Sequence, residues 1–184
     1  MMSVDNLKAR MPAYAKDIKL NLSNIFQSTA LTEAQVWGTA LASALATRNA
    51  EVIEAIAEGA AEKLTAEQQN AAKAAAAIMA MNNIYYRSIH LLSNKEYGKL
   101  PARLRMNIIG NPGVEKLDFE LWSLAVSAIN GCGMCLDSHE REVIGKGASK
   151  EGVQDALRIA SVLHAAAAVI DGEKALPESQ RAAV

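Results

Sequence analysis

The sequence predicts an all-α fold, a multi-helical single domain of 184 residues. Three observations support this class. Aromatic residues make up only 4% of the chain while alanine is abundant. No alternation of polar and apolar residues persists for more than a few positions, as half-buried strands would require. Hydrophobic residues make up 51% of the chain, which is enough to fill a core.

The first half of the chain contains clear sequence signals for the starts of helices. Thr32 and Thr65 each stand three residues before a glutamine, the pattern of a capping box. Asn49 is expected to cap a further helix between them. The alanine-rich run of about 66–92 is predicted to be one long buried helix or two nearly collinear ones.

An interruption separates this half from the next. In the stretch 100–114, LPARLRMNIIGNPGV, Pro101 and the turn at 111–113 break the helical periodicity. Helices are then expected over about 118–130, 132–146 and 150–170, the last with Ser149 as its N-cap.

The two halves contain a weak internal repeat. Trp37 and Trp122 each open an apolar helix that is followed by a break and a further helix. A duplicated helical unit would produce this pattern, and so would two alanine-rich helices that are alike in composition alone. We divide the single domain, 1–184, into a half of about 1–98 without a CxxC and a half of about 115–172 that carries it.

Charge and hydropathy exclude some functions. The formal net charge is −1, and no basic cluster is denser than the pair Arg103 and Arg105, so we expect no nucleic-acid partner. The first twenty residues lack the apolar stretch of a secretory signal, and no apolar run approaches the roughly 18 residues needed to cross a bilayer. We expect a soluble protein of the cytoplasm without a membrane partner.

Both cysteines of the chain lie in one stretch, NGCGMCLDSHE, at 130–140. If a helix begins at or just before Cys132, then Cys132, Cys135 and His139 share one face of it. The unpaired amides of the helix start and a neighbouring imidazole would both favour a thiolate. Glu120 lies one helix earlier, either buried beside His139 or on the solvent side of its first turn.

Three interpretations of the cysteine pair compete. A redox dithiol is favoured, because a CxxC in a reducing compartment forms a small ring that reopens by thiol–disulfide exchange. A zinc site through Cys132, Cys135, His139 and Glu120 is a second interpretation, although structural zinc sites usually draw on two separate segments. A plain structural pair is the third.

The pattern of Glu120, Cys132, Cys135 and His139 resembles the E…CxxC…H motif of the alkyl hydroperoxidase D (AhpD) family, among the carboxymuconolactone decarboxylase-like proteins. The resemblance extends over almost the whole chain. Its other segments are Pro12–Leu22, Met81–Arg87, Leu104–Gly113 and Phe119–Cys132.

This resemblance implies an all-helical fold of two related halves, a homotrimer and a role in antioxidant defence. It implies an enzyme that reduces organic hydroperoxides through its dithiol and passes electrons to a peroxiredoxin of the alkyl hydroperoxide reductase C type. The electrons would come from protein-bound dihydrolipoamide, on a lipoylated acyltransferase served by dihydrolipoamide dehydrogenase. No bound cofactor or metal is implied.

The resemblance also implies residue roles. Cys135 would be the reactive sulfur, Cys132 its resolving partner, and Glu120 with His139 the relay that deprotonates Cys135. Met134 departs from the family, in which close members carry a histidine between the cysteines. The alternative functions are a non-redox, carboxymuconolactone decarboxylase-like enzyme and a zinc-binding interaction module.

Other polar residues on apolar helices receive plainer interpretations. His164 is expected to be a core or interface histidine, and Met79 is expected to fill core space. The pair Asn82 and Asn83 falls on the long buried helix, where amides need partners, so we expect it to fix packing or a subunit interface.

Overall fold

The computed structural model describes residues 3–182 and is all-helical over that range, in one domain. Within this range the chain forms nine α-helices. They are α1 (Val4–Ala9), α2 (Lys16–Asn24), α3 (Glu33–Thr47), α4 (Ala50–Lys63), α5 (Ala66–Leu91), α6 (Asn107–Gly110), α7 (Lys116–Ile129), α8 (Gly133–Gly145) and α9 (Lys150–Ala175). Short 3₁₀ turns lie at Ala13–Ala15, Lys95–Lys99 and Glu178–Gln180. The predicted all-α class is confirmed.

The predicted caps explain where the helices start. Thr32 and Thr65 both form complete capping boxes, each with the glutamine three residues on. Asn49 and Ser149 cap α4 and α9 through their side chains. The run predicted at 66–92 is one continuous helix, α5.

Helices α3 and α7 form the centre of the fold. Each packs against the other and against α5 and α9, and α8 lies across α7 and α5. Gly38 on α3 makes room for the ring of Trp122 on α7, because a Cβ at position 38 would lie 2.2 Å from that ring. That ring is fully buried, so the α3–α7 contact fixes α7, which carries Glu120 and leads into the cysteines.

The helices on either side of α6 follow the same order of lengths. Helices α3, α4 and α5 have 15, 14 and 26 residues, and α7, α8 and α9 have 14, 13 and 26. The duplication of a helical unit stays a prediction, because helix lengths do not establish a common origin.

Helix α9 is long and apolar enough to cross a membrane by length and composition alone. Half of its most apolar window is buried inside the fold, where the helix packs against α3 and α7. Core helices of soluble proteins pass the same test, so this feature is weak evidence for a membrane span.

Candidate active site

The junction between α7 and α8 is a tight helix stop. Gly131 follows the last residues of α7 with φ +67°, a left-handed conformation that favours glycine. Its N–H donates to the carbonyl of Ala128, and the N–H of Cys132 donates to the carbonyl of Ser127, both at 3.1 Å. These two bonds make a Schellman motif. The N–H of Cys132 therefore satisfies a carbonyl at the end of α7, and the next helix, α8, begins at the same residue.

Cys132 is also the N-cap of α8. Its Sγ accepts a hydrogen bond from the backbone N–H of Cys135 at 3.3 Å, so the helix start provides a donor to this sulfur. The two cysteines are joined by a disulfide, with 5.3 Å between their Cα atoms. Cys132 is fully enclosed, whereas Cys135 keeps a small exposed fraction of 6%.

A network of amides holds this junction in place. Asn83 on α5 donates to the hydroxyl of Ser127 at 2.9 Å, and Asn130 donates to the side-chain oxygen of Asn83 at 2.9 Å. Arg87 donates to the carbonyl of Asn130. The prediction that Asn83 fixes packing is confirmed within the chain, since its buried amide binds both sides of the turn that presents the cysteines.

Glu120 and His139 form a buried pair beside the disulfide. Glu120 Oε2 lies 2.6 Å from His139 Nδ1, and Glu120 Oε1 lies 2.7 Å from Lys116 Nζ. Only 3% of Glu120 and 8% of His139 is exposed. Of the two placements considered for Glu120, the buried one beside His139 is observed.

The electrostatics of Glu120 favour its ionised form. Burial is the largest single influence and raises the pKa of Glu120. The hydrogen bonds from His139 and Lys116, together with their charges, outweigh burial and leave the pKa below its ordinary value of 4.5. A carboxylate accepts hydrogen bonds only, so the Nδ1 of His139 carries a proton.

The second ring nitrogen of His139 contacts a thioether. Its Nε2 lies 3.2 Å from Met79 Sδ on α5. A thioether sulfur is a weak acceptor with no proton to donate. His139 therefore has an acceptor beside each of its two ring nitrogens. Met79 fills core space as expected, and it also adjoins the site.

A cavity of about 460 Å³ opens beside the disulfide. Glu120, His139 and Cys135 line it, and Cys132 does not. The rest of its wall is mostly apolar and includes Met79, Met106, Ile109 and Met134. A volume of this size accommodates a small organic molecule. Of the two sulfurs, only that of Cys135 can meet a ligand from this side.

The structure brings together all four residues predicted for the site. Cys132 is bonded to Cys135, Glu120 is bonded to His139, and the second pair shares the cavity with Cys135. Their catalytic roles stay predictions. Of the two placements expected for His164, the core one is wrong, because His164 sits on an exposed position of α9, and the interface one stays a prediction. Helical periodicity placed it on an apolar stretch without showing which face was covered.

Three residues that line the site were not predicted from the sequence to do so: Met79, Asn82 and Lys116. Lys116 had a usable signal, because it stands four residues before Glu120, one helical turn away. Met79 and Asn82 had none, since they reach the cavity from α5, which is distant in sequence from α8.

The predicted zinc ligands are engaged with each other in this arrangement. The cysteines are disulfide-bonded, and Glu120 holds His139. Across residues 3–182, no group of three or more histidine, cysteine, aspartate or glutamate side chains is placed to hold a metal ion. The zinc interpretation would require a different arrangement of these side chains.

Comparisons with known proteins give consistent results. The Carboxymuconolactone decarboxylase family matches residues 95–178. A protein of Rhodospirillum centenum named alkyl hydroperoxide reductase AhpD is 60% identical over 175 residues, which cover 95% of this chain and 94% of the relative. Proteins of the same name from Hyphomonas neptunium and Streptomyces griseus are 58% and 54% identical. These two alignments cover 95% and 96% of this chain, and 97% and 100% of the relatives.

Proposed function

The chain belongs to the alkyl hydroperoxide reductase AhpD family, and from that premise we propose that it is a thiol-dependent hydroperoxidase in antioxidant defence. Its Cys132–Cys135 pair would also carry electrons between protein partners. The observation that supports this best is that Cys135 borders a cavity together with the Glu120–His139 pair. Thiol catalysis needs one reachable sulfur with a base beside it, held in place by a third group.

The direct reaction uses the dithiol form. His139, held by Glu120, takes the proton of the Cys135 thiol, and the thiolate attacks the outer oxygen of a hydroperoxide. The S–O bond forms as the O–O bond breaks, and the alkoxide leaves as an alcohol after gaining a proton. The Cys132 thiol then attacks the sulfenic acid, forming the disulfide and releasing water. The two thiols lose the two electrons that the hydroperoxide gains.

The return to the dithiol requires an external reductant. We propose protein-bound dihydrolipoamide, carried by a lipoylated acyltransferase and regenerated by dihydrolipoamide dehydrogenase, as the family resemblance implies. One lipoyl thiolate attacks the disulfide to give a mixed disulfide, and the second lipoyl thiol releases the protein dithiol. The same exchange in reverse order would reduce the disulfide of a peroxiredoxin. No bound cofactor enters this cycle.

Assembly and location complete the proposal. Apolar side chains at the end of α5 and just beyond it are exposed, among them Ile84, Leu91 and Leu100 at 53%, 72% and 61%. Exposed apolar groups of this kind support contact between copies of the chain. We propose a homotrimer of the cytoplasm, where lipoylated complexes would supply the electrons.

A redox titration tests the proposal. Free thiols at positions 132 and 135 are trapped and measured by mass after equilibration with dihydrolipoamide or glutathione buffers, and hydroperoxide consumption is followed in parallel. We expect a reversible disulfide with a potential of roughly −200 to −300 mV. Cys135→Ser should abolish both electron transfer and hydroperoxide consumption.

Two results of this titration would contradict the redox function. If mild oxidant forms no Cys132–Cys135 disulfide, or if stoichiometric zinc must first be removed, the redox function is wrong and the zinc-binding interpretation gains support. Reversible cycling without hydroperoxide consumption would leave an electron carrier that is not itself a peroxidase.

A further inference from the structure

One face of α8 forms a wall of the cavity beside the disulfide. Cys135, Ser138, His139 and Glu142 all line the cavity, and their spacing of three, four and seven residues from Cys135 places them on the same side of the helix. Seven residues make about two turns, so Glu142 lies roughly 10 Å along the helix axis from Cys135. The reachable sulfur and the Glu142 carboxylate therefore stand toward opposite ends of this wall.

Glu142 brings an unpaired carboxylate to the cavity. Lys116 and His139, which also line it, are both bonded to Glu120. Within the described part of the chain, the exposed side chain of Glu142 makes no hydrogen bond or ion pair. Ser138 is exposed and unpaired as well, but a hydroxyl both donates and accepts and carries no charge. The end of the wall away from the sulfur thus offers a negative charge that accepts hydrogen bonds.

The space between these two ends has apolar surroundings. Met79, Met106 and Ile109 contribute to the cavity from other parts of the chain. A ligand that reacts at Cys135 and lies along α8 therefore fits best when it has three parts in order. They are a group that reacts with sulfur, an apolar stretch, and a hydrogen-bond donor that reaches Glu142. A ligand that ends in an anion would instead meet a like charge there.

We propose that Glu142 selects the reductant of the disulfide, favouring dithiols that end in an amide over dithiols that end in a carboxylate. The assignment rests on the proposed lipoyl-dependent function. A dihydrolipoyl group joined to its carrier through an amide has a dithiol, an alkyl chain and an N–H in the required order. Glu142 accepts that N–H, whereas it repels the carboxylate of the free acid. Glu142 is thus a specificity residue and transfers no proton.

The exchange itself is the one described above. A lipoyl thiolate attacks Cys135 Sγ, the S–S bond breaks, and Cys132 leaves with the electron pair of that bond. The second lipoyl thiol then forms the lipoyl disulfide and releases Cys135. Glu142 affects only how well the reductant is placed before the first attack. Its effect therefore belongs to reduction of the disulfide and not to oxidation of the dithiol by a small neutral hydroperoxide.

The test compares two reductants that differ only in the terminal group, dihydrolipoamide and dihydrolipoate. Each is mixed with the oxidised protein below saturation, and new thiols are trapped and measured by mass. Glu142→Gln loses the charge but keeps an acceptor, so we expect about fivefold faster reduction by dihydrolipoate and a change within about twofold for dihydrolipoamide. Glu142→Leu also loses the acceptor, so reduction by dihydrolipoamide should slow by about threefold.

Salt and a matched variant separate this effect from a general change of charge. At about 1 M salt, screening should bring wild type and Glu142→Gln together in their reaction with dihydrolipoate. Glu140→Gln removes the same charge from an exposed position of α8 outside the cavity and should alter neither rate. Oxidation of the reduced protein by tert-butyl hydroperoxide should be unchanged in all three variants.

Three outcomes would overturn the inference. If the ratio of the two reduction rates is the same in wild type and Glu142→Gln, or if Glu140→Gln shifts it equally, the selection by Glu142 is wrong while the proposed function stands. Slower oxidation by tert-butyl hydroperoxide in the Glu142 variants would show that this residue acts on the reactivity of Cys135 instead. If dithiothreitol reduces the wild-type disulfide but neither dihydrolipoyl compound does, the proposed lipoyl-dependent function fails and the inference with it.

Discussion

The two three-helix halves of the molecule start their middle helices in the same way but use different side chains. Asn49 caps α4 by accepting the N–H of Val52 at 2.9 Å, and Cys132 caps α8 by accepting the N–H of Cys135 at 3.3 Å. Each cap thus binds the amide three residues ahead. The two halves share this capping arrangement of the backbone, but only the second half has a cysteine as the capping residue.

The next positions along these helices extend the comparison. Seven residues after its cap, α4 carries Ile56 and α8 carries His139. Val52 and Ile56 are fully buried, and Cys135 and His139 are nearly so, at 6% and 8% exposed. The residues of α8 that are proposed to react therefore occupy positions that serve the core in α4. They lie on the face of α8 that points toward the core, and the cavity beside the disulfide exposes Cys135 and His139 to a ligand.

This difference also changes how each half is stabilised. Apolar residues at core positions contribute by burial alone. A buried carboxylate and imidazole contribute only while they remain paired, because either group left alone bears the full cost of desolvation. The half that carries the cysteines should therefore depend more strongly on single residues and on pH.

The largest effect is expected from Glu120→Gln, which removes the negative charge beside His139. Glutamine can still accept from the Nδ1 of His139 but carries no negative charge to stabilise the proton that His139 takes, and we expect Cys135 to react about a hundredfold more slowly with hydroperoxide at neutral pH. Stability should fall by about 3 kcal/mol, because a buried ion pair is broken. Stopped-flow oxidation and urea unfolding measure the two effects.

The pH dependence of stability sharpens this result. Since the pKa of Glu120 is lowered in the folded state, its ion pairs stabilise the fold above the ordinary value of 4.5, and that stabilisation is lost as the pH falls through the lowered value. The stability difference between wild type and Glu120→Gln should therefore shrink on acidification. A difference that stays constant between pH 7 and pH 3 would contradict the ion-pair account.

A smaller effect is expected in the half without cysteines. Asn49→Ala removes the cap of α4 and the bond from Asn49 to Asp171, which is 2.6 Å long. We expect a loss of about 1–2 kcal/mol in the free energy of unfolding, with the hydroperoxide rate unchanged. Asn49→Ser keeps a capping oxygen and should recover part of the stability. A large loss of hydroperoxide activity in either variant would show that the stability of the first half and the reactivity of the second are coupled.

The smallest effect is expected from Met79→Leu. The swap conserves volume, so stability should change by less than about 1.5 kcal/mol. It removes the acceptor at His139 Nε2, and we expect a roughly twofold to fivefold change in the rate at which Cys135 is alkylated. The ¹⁵N shifts of the His139 ring report its protonation directly. If they are the same in both proteins, the thioether does not influence the ring.

The sequence was most informative where signals are local. The capping residues Thr32, Thr65, Asn49 and Ser149 placed four helix starts correctly, because capping depends on side chains three residues apart. The shared face of Cys132, Cys135 and His139 followed from helical geometry in the same way. The pairing of Glu120 with His139 was one of two placements that the residues allowed, and only tertiary packing chose between them.

The rest depended on contacts between helices that are distant in the chain. Met79 reaches His139 from α5, sixty positions away in sequence, and nothing in its alanine-rich surroundings distinguishes it from core methionine. Asn82 and Asn83 look alike as neighbours, yet one bonds the α7–α8 junction and the other faces the cavity. Side-chain direction on a helix buried on several sides cannot be read from periodicity alone.

The double role of Cys132 fixes how α8 is rotated about its own axis relative to α7. The N–H of Cys132 bonds to the end of α7 and its side chain caps α8, so only Asn130 and Gly131 separate the last residue of α7 from this shared residue. One residue inserted in α8 between Cys132 and His139 would turn the rest of that helix by about 100° about its axis and advance it by about 1.5 Å. That rotation would carry His139 off the stripe that faces Glu120 while leaving every side chain of the site intact. The alignment of the candidate site thus depends on the number of residues between Cys132 and His139 as much as on their identity.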